Sequence, residues 1–257
     1  MDSNKYCIPQ IIEKVYARLW NENKNKALSY VSSVPNLKFI RFLGGVNEDY
    51  FIPNVVENKV HLSAPSGFND IFDCTIPLNA EFLDLFGEKH RDFMCRLEMS
   101  EHYEDISKLL WSIYRVGCFT TENNLRNLKM WYMYSDCYKG ACLEYNAKAI
   151  IKAVKEQKYS FTPVIYQEMG HIPIDDKNLF DKALMYKLKY WEEEQEWRVF
   201  GKTTKDGFML KPQTIYLGPR IPQKVENKIK NNLKDKKIHI YNTRFNYVTQ
   251  SLDIQEE

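Results

Sequence analysis

Two carboxylates and a guanidinium, each two residues from the next, carry the strongest chemical signal in this sequence. They lie in KLKYWEEEQEWRVFG, Lys187 to Gly201. From Glu194 the residues alternate, so an extended strand puts Glu194, Glu196 and Arg198 on one face and Gln195, Trp197 and Val199 on the other. Trp197 and Val199 suit a core. The charged face suits either solvent or a cleft. On a solvated edge the three groups pair for little energy. In a cleft, carboxylates that cannot both ionise freely have their pKa values pushed apart, and the arginine orients one of them or holds a phosphate. That is equipment for acid–base work on an anionic ligand.

The elements that must position this face follow from periodicity. Leu184, Leu188 and Trp191, at spacings of four and three, predict a helix running into the strand. LKFIRFLGG reads as a strand closed by Gly44 and Gly45, with Leu37, Phe39 and Arg41 on one face and Lys38, Ile40 and Phe42 on the other. Arg41 is then a sheet-edge residue or a cation facing a cleft. PSGFNDIFDC, Pro65 to Cys74, mixes turn formers with Phe68 and Phe72, and its Asp70 and Asp73 close Asx-turns or touch a ligand. VGCFTT is a strand carrying Thr120, and Met130 to Tyr134 is a packed helical turn containing Trp131. Gly140 permits a turn into ACLEY, where Cys142 and Glu144 point opposite to Leu143 and Tyr145.

Around these lie a helix or helix pair over 9–30, with Ile11, Ile12, Val15, Leu19 and Trp20 on one face, and a break at Ser33, Pro35 and Asn36. Residues 79–114 read as helical, with a strand KVHLSAP before them. A helix over 146–156, a strand over 162–166 and a polar loop through 178 come later. The strand TIYLGP, a basic helix from Pro222 and a last strand KIHIYNTRFNY complete the chain. About seven or eight short strands interrupted by helices, without βαβ alternation, predict an α+β fold. The expected architecture is a single mixed domain over 36–257, with a central, mostly antiparallel sheet split by helices. Residues 1–35 form an N-terminal helical extension, either a packed cap or a docking site for a partner protein.

Bulk properties narrow the function classes. In 257 residues, 44% hydrophobic and 14% aromatic, there is enough apolar surface for a sizeable core. A net charge of +2 demands neither nucleic acid nor anionic membrane, although Lys224 to Lys237 concentrates positive charge locally. No apolar run approaches the roughly 20 residues that span a bilayer, and the N-terminus lacks the plan of a signal peptide. Six scattered cysteines without a CxxC pair read as reduced thiols, so no metal is expected and the cytoplasm is the default compartment.

Four motifs and a later fifth stand in order: FNDIFD at 68–73, CFT at 118–120, MWYMY with KGACLEYN within 130–146, WEEEQEWR at 191–198, and IYLGP at 215–219. Together they resemble the bacterial domain-of-unknown-function family 2971 over about residues 37–245. The chain departs from that pattern at Ile71, where the family usually has Pro, and at Tyr138, where it often has His. The motif order is also similar to that of NAD-dependent ADP-ribosyltransferases, which place an Arg or His on an early strand, a Ser/Thr-rich strand in the middle and a Glu-x-Glu or Gln-x-Glu at a late strand. Arg41, Thr120 and Glu194-Gln195-Glu196 match that order. The resemblance implies that NAD is the cofactor, with a protein or nucleic-acid acceptor, as in a toxin or phage-defence effector. Glu196 would hold the ribose and offset positive charge, and Glu194 would position or deprotonate the acceptor. Arg41 would pair with a phosphate or ribose, Thr120 would brace the site, and Trp131 or Tyr134 would stack on nicotinamide. Two alternatives remain: a binding or sensing module whose motifs are structural, and a magnesium-dependent nuclease built on Asp70, Asp73, Glu144 and Glu194.

Overall fold

A computed structural model describes residues 7–44, 55–70, 72–74, 111–168, 179–234 and 236–256. The expectations for Gly45, Asn54, Ile71, helical residues 79–110 and the loop over 169–178 lie outside the described residues. Helices α1 (Cys7–Glu22) and α2 (Lys24–Ser33) form a hairpin. Asn23 separates them; its side chain accepts hydrogen bonds from the Asn25 and Lys26 amides, satisfying donors that a helix start leaves open. The buried stripe of α1 is Ile12, Tyr16 and Trp20, spaced by four, whereas Ile11 is exposed. The apolar face is therefore centred on Tyr16, which the hydrophobicity of its neighbours did not single out.

An eight-stranded sheet forms the middle of the molecule. Its strands are β1 (Lys38–Leu43), β3 (Tyr114–Thr121), β4 (Ala141–Asn146), β5 (Ser160–Pro163), β8 (Glu196–Lys202), β10 (Thr214–Leu217), β11 (His239–Asn246) and β12 (Ser251–Glu256), in the order β12-β11-β10-β4-β1-β3-β8-β5. Two small sheets flank it, one pairing β2 (Lys59–His61) with β9 (Gly207–Met209), the other β6 (Ile165–Gln167) with β7 (Tyr186–Leu188). The fold is α+β with a large, mostly antiparallel sheet, as expected. Its parallel pair is β10 with β11. That pair needs a crossover, which the basic stretch supplies as a helix over Gln223–Leu233.

Alternation divides the sheet into two chemically different faces. Phe39, Leu143, Tyr145, Phe119, Trp197, Val199 and Ile215 enter the main core, under α1, α2, the crossover helix and the helix Ala147–Gln157. The opposite face carries Ile40, Phe42, Cys142 and Tyr216, covered by the helix Leu128–Tyr134, here α3. Further along this second face lie Val116 and Phe200, and the charged side chains of Glu196 and Arg198. Cys142 and Glu144 do point opposite to Leu143 and Tyr145.

The helix expected to run into β8 does not form. A short helix ends at Ala183, Tyr186–Leu188 pairs in parallel with β6, and Lys189–Glu194 is a 3-10 segment. Pairing with β6 satisfies the backbone that a helix would otherwise have bonded internally. β1 and β3 pair only at Phe39–Thr121 and Ile40–Thr120. Beyond those pairs the segment 59–63 comes in against β3, bridging Ser63 to Val116. Gly117 permits this approach, because a Cβ there would lie 2.7 Å from Leu62 Cδ2. The sheet thus forks, and the fork opens a cavity.

Candidate functional site

The cavity, of about 210 Å³, is lined by Arg41, Asp70, Asp73, Thr120, Tyr134, Glu194 and Glu196 among the residues singled out from sequence. Phe42, Phe68, Met130, Lys187 and Trp191 complete its chemistry. Glu194 is not in the strand. It ends the 3-10 segment, and Gln195 adopts a left-handed conformation (φ 46°, ψ 48°) before β8 begins at Glu196. That reversal, rather than strand alternation, brings both carboxylates to Lys187. The Lys187 ammonium donates to Glu194 Oε2 at 2.6 Å and Glu196 Oε2 at 2.8 Å.

Arg198 anchors the inner end of the cluster and is fully buried. Its Nε donates to Glu196 Oε1 at 2.7 Å, one terminal nitrogen donates to both Asp73 oxygens at 2.7 and 2.8 Å, and the other to Leu184 O at 2.8 Å. Buried charges in such number are tolerable because each has a partner. The set holds three carboxyls (Asp73, Glu194, Glu196) against two cations. Burial works to raise the Glu196 pKa, but Arg198 and Lys187 outweigh it and hold the carboxyl well below the usual range. Burial opposes the charge on Lys187 too, yet its carboxylate neighbours push its pKa up, so it remains an ammonium. Glu194 is the odd carboxyl. Burial raises its pKa, Lys187 only partly opposes this, and Glu196 adds to it. Two carboxyls held by one ammonium, with pKa values displaced in opposite directions, provide a proton carrier beside a fixed negative charge.

The turn carrying Glu194 is clamped from β3 and the residues after it. Thr120 Oγ1 donates to Glu194 O at 2.5 Å, and Asn124 Nδ2 donates to Glu193 O and Glu194 O at 3.1 and 2.9 Å. Thr121 Oγ1 donates to the Gln195 side chain at 2.6 Å. Thr120 thus braces the backbone of the Glu194 turn. Tyr134, at the end of α3, donates its hydroxyl to Glu194 Oε1 at 2.5 Å; burial and then Glu194 raise the phenol's pKa, so it stays a donor.

Arg41 belongs by register to the other face, opposite Leu143, but its guanidinium spans the fork. It donates to Cys118 O at 2.9 Å and His61 O at 3.0 Å, and its Nε is buried without a hydrogen-bond partner. No carboxylate among the described residues pairs with it. An uncompensated guanidinium on a cavity wall suits an anion.

Trp131 does not reach the cavity. It is fully buried on the α3 side, edge-on to Phe42 at 5.2 Å, with its indole N–H donating to Leu125 O at 2.6 Å. One helical turn separates core from site here: Tyr134 follows Trp131 by three residues and faces Glu194. Tyr138 also lies outside, in a ring cluster with Tyr132 and Phe245 under Arg220. Glu144 serves β4 instead, bound by Thr214, Tyr216 and Lys38. Among the described residues no group of three His, Cys, Asp or Glu side chains could hold a metal ion. Sequence reasoning missed Lys187 and the part played by Asp73. The only available signal was the placement of Lys187 four residues before Trp191, whose ring its ammonium approaches at 5.2 Å.

Residues 130–199 match a family described as a protein of unknown function (DUF2971). The DUF2971 match contains Tyr134, Lys187, Glu194, Glu196 and Arg198, so the carboxylate–ammonium cluster falls within it. Arg41, Asp73 and Thr120, which complete the cavity, precede it. No curated protein and no solved structure matches the chain. Among the described residues no helix is long and apolar enough to cross a membrane.

Proposed function

We propose that this cavity is the active site of an ADP-ribosyltransferase-like enzyme that cleaves the nicotinamide–ribose bond of NAD and transfers the ADP-ribosyl group to a protein or nucleic-acid acceptor. The observation that carries the reading is that Glu194 and Glu196 line one cavity and share the Lys187 ammonium, burial raising the pKa of Glu194 while Arg198 and Lys187 lower that of Glu196. Cleavage of an N-glycosidic bond develops oxocarbenium character at the ribose, which a fixed carboxylate offsets. Glu196 supplies that charge. The bond from the anomeric carbon to nicotinamide nitrogen breaks with its electron pair going to nicotinamide. The acceptor oxygen or nitrogen bonds to the same carbon, and its proton passes to Glu194. Lys187 keeps Glu194 and Glu196 in place, and Arg41 offers its charge to a phosphate. An activity that consumes NAD and modifies macromolecules suits a bacterial toxin or phage-defence effector.

The test is nicotinamide release from NAD by the purified chain, with cell lysate as a source of acceptor. Glu194→Gln keeps the shape and removes the proton carrier, so turnover should fall by about 100-fold or more. Glu196→Gln should fall as far, but it also strips a partner from buried Arg198, so its folding must be checked by circular dichroism. Unchanged turnover in Glu194→Gln, or none in the wild type, would sink the reading.

A further inference from the structure

We propose that the rim of the cavity, built by Tyr190 and Trp191, is a stacking subsite for an aminopurine at the far end of the same nucleotide. This rests on reading the cavity as a nucleotide site. Tyr190 is 62% exposed, although rings of its size are mostly covered. It is nevertheless held in place. Its ring lies 5.3 Å from that of Trp191, centroid to centroid, and its hydroxyl is 3.4 Å from Asp70 Oδ2. The Trp191 indole donates to the same oxygen at 2.8 Å, and Asp70 Oδ1 accepts from the Phe72 amide at 2.9 Å. A flat ring already fixed loses little freedom when a second ring stacks on it.

Trp191 and Asp70 line the cavity, and Tyr190 continues their surface outward. A cavity of about 210 Å³ encloses a ring and a sugar but not a whole dinucleotide, for which pockets upward of roughly 300 Å³ are usual. The remainder of such a ligand must cross the rim. The rim carries the Asp70 carboxylate, on which the Trp191 indole and the Tyr190 hydroxyl converge. A carboxylate acceptor repels phosphate and favours a base with an exocyclic amino group.

Isothermal titration of the full chain with ADP-ribose, its hypoxanthine counterpart and ribose 5-phosphate tests this. The wild type should bind ADP-ribose about tenfold more tightly than ribose 5-phosphate, with the hypoxanthine compound between them. Tyr190→Ala should lose about that factor for ADP-ribose and nothing for ribose 5-phosphate, while Tyr190→Phe keeps the affinity. Equal binding by Tyr190→Ala, or no preference for the compound carrying adenine, overturns the subsite. Tyr190-dependent binding without nicotinamide release overturns the catalytic reading and leaves the subsite standing. Release with a KM indifferent to Tyr190 does the reverse.

Discussion

At the scale of single residues, the site is governed by an imbalance of charge. Asp73 and Glu196 satisfy Arg198 and Lys187, which leaves Glu194 as the carboxyl with least electrostatic support. The Tyr134 hydroxyl donates to Glu194 and so favours its ionised form. Removing that donor in Tyr134→Phe should raise the Glu194 pKa further. If Glu194 must be ionised to accept a proton, the acid limb of the pH–rate profile then moves to higher pH, with the alkaline side unaffected. A limb that stays put or moves down would remove Glu194 from that role. Asp73 has a different task. Both of its oxygens accept from one Arg198 nitrogen, and Asp73→Ala would leave a fully buried guanidinium short of that partner. We expect a loss of about 3 kcal/mol in urea unfolding. A loss under about 1 kcal/mol, the size of a surface pair, would show that the cluster is solvated.

Among the elements, β8 works on both sides at once. Glu196 faces the cavity with Arg198 buried behind it on the same side, while Trp197 meets Tyr16 of α1 edge-on at 5.2 Å. Tyr16 also donates its hydroxyl to Phe161 O on β5. Glu13, less than one turn before Tyr16 on α1, is partly buried, and burial pushes its pKa up to about 7. The unfolded chain releases this proton near 4.5, the folded chain only near 7. Its contribution to stability is therefore fully present below pH 4.5 and lost as pH rises through 7. Glu13→Gln cannot ionise, so the variant should gain on the wild type between these limits. The gap should reach on the order of 1 kcal/mol above pH 7, reduced from the full shift because water still reaches the group. A Tm difference between the two that is flat across pH 4.5–7.5 would contradict this.

In the molecule as a whole, the helical hairpin contributes to the core that holds the site. Ile12, Tyr16, Trp20, Ala27, Leu28 and Val31 lie in one cluster with Phe39, Phe161 and Trp197. Deleting residues 1–33 would uncover the back of β1, β5 and β8, the strands nearest the fork. The truncated chain should bind a hydrophobic dye and lose near-ultraviolet dichroism while keeping much of its far-ultraviolet signal. A truncated chain with native near-ultraviolet dichroism would mean that the hairpin is dispensable for folding and is available to a partner.

The sequence by itself determined the local elements and much of the cavity's membership. Alternation in LKFIRFL, VGCFTT, ACLEY and EWRVF marks strands with two unlike faces, because side chains alternate with period two wherever a sheet is buried. It also placed Glu196 and Arg198 on one face, since the charged face had to avoid the core occupied by Trp197 and Val199, whereas Glu194 joins them through the left-handed turn at Gln195 and not by alternation. Tertiary structure decided the rest. Lys187 could be drawn into the cluster only by a strand pairing with β6, a contact between segments about 20 residues apart that leaves no periodic trace. Arg41 reaches the cavity because β1 and β3 part company after two residue pairs, and Trp131 is excluded from it because α3 turns its ring toward Phe42. Periodicity reports which face of an element is apolar, whereas only the packing of distant elements fixes where two sheet strands separate and which polar side chains meet in the gap.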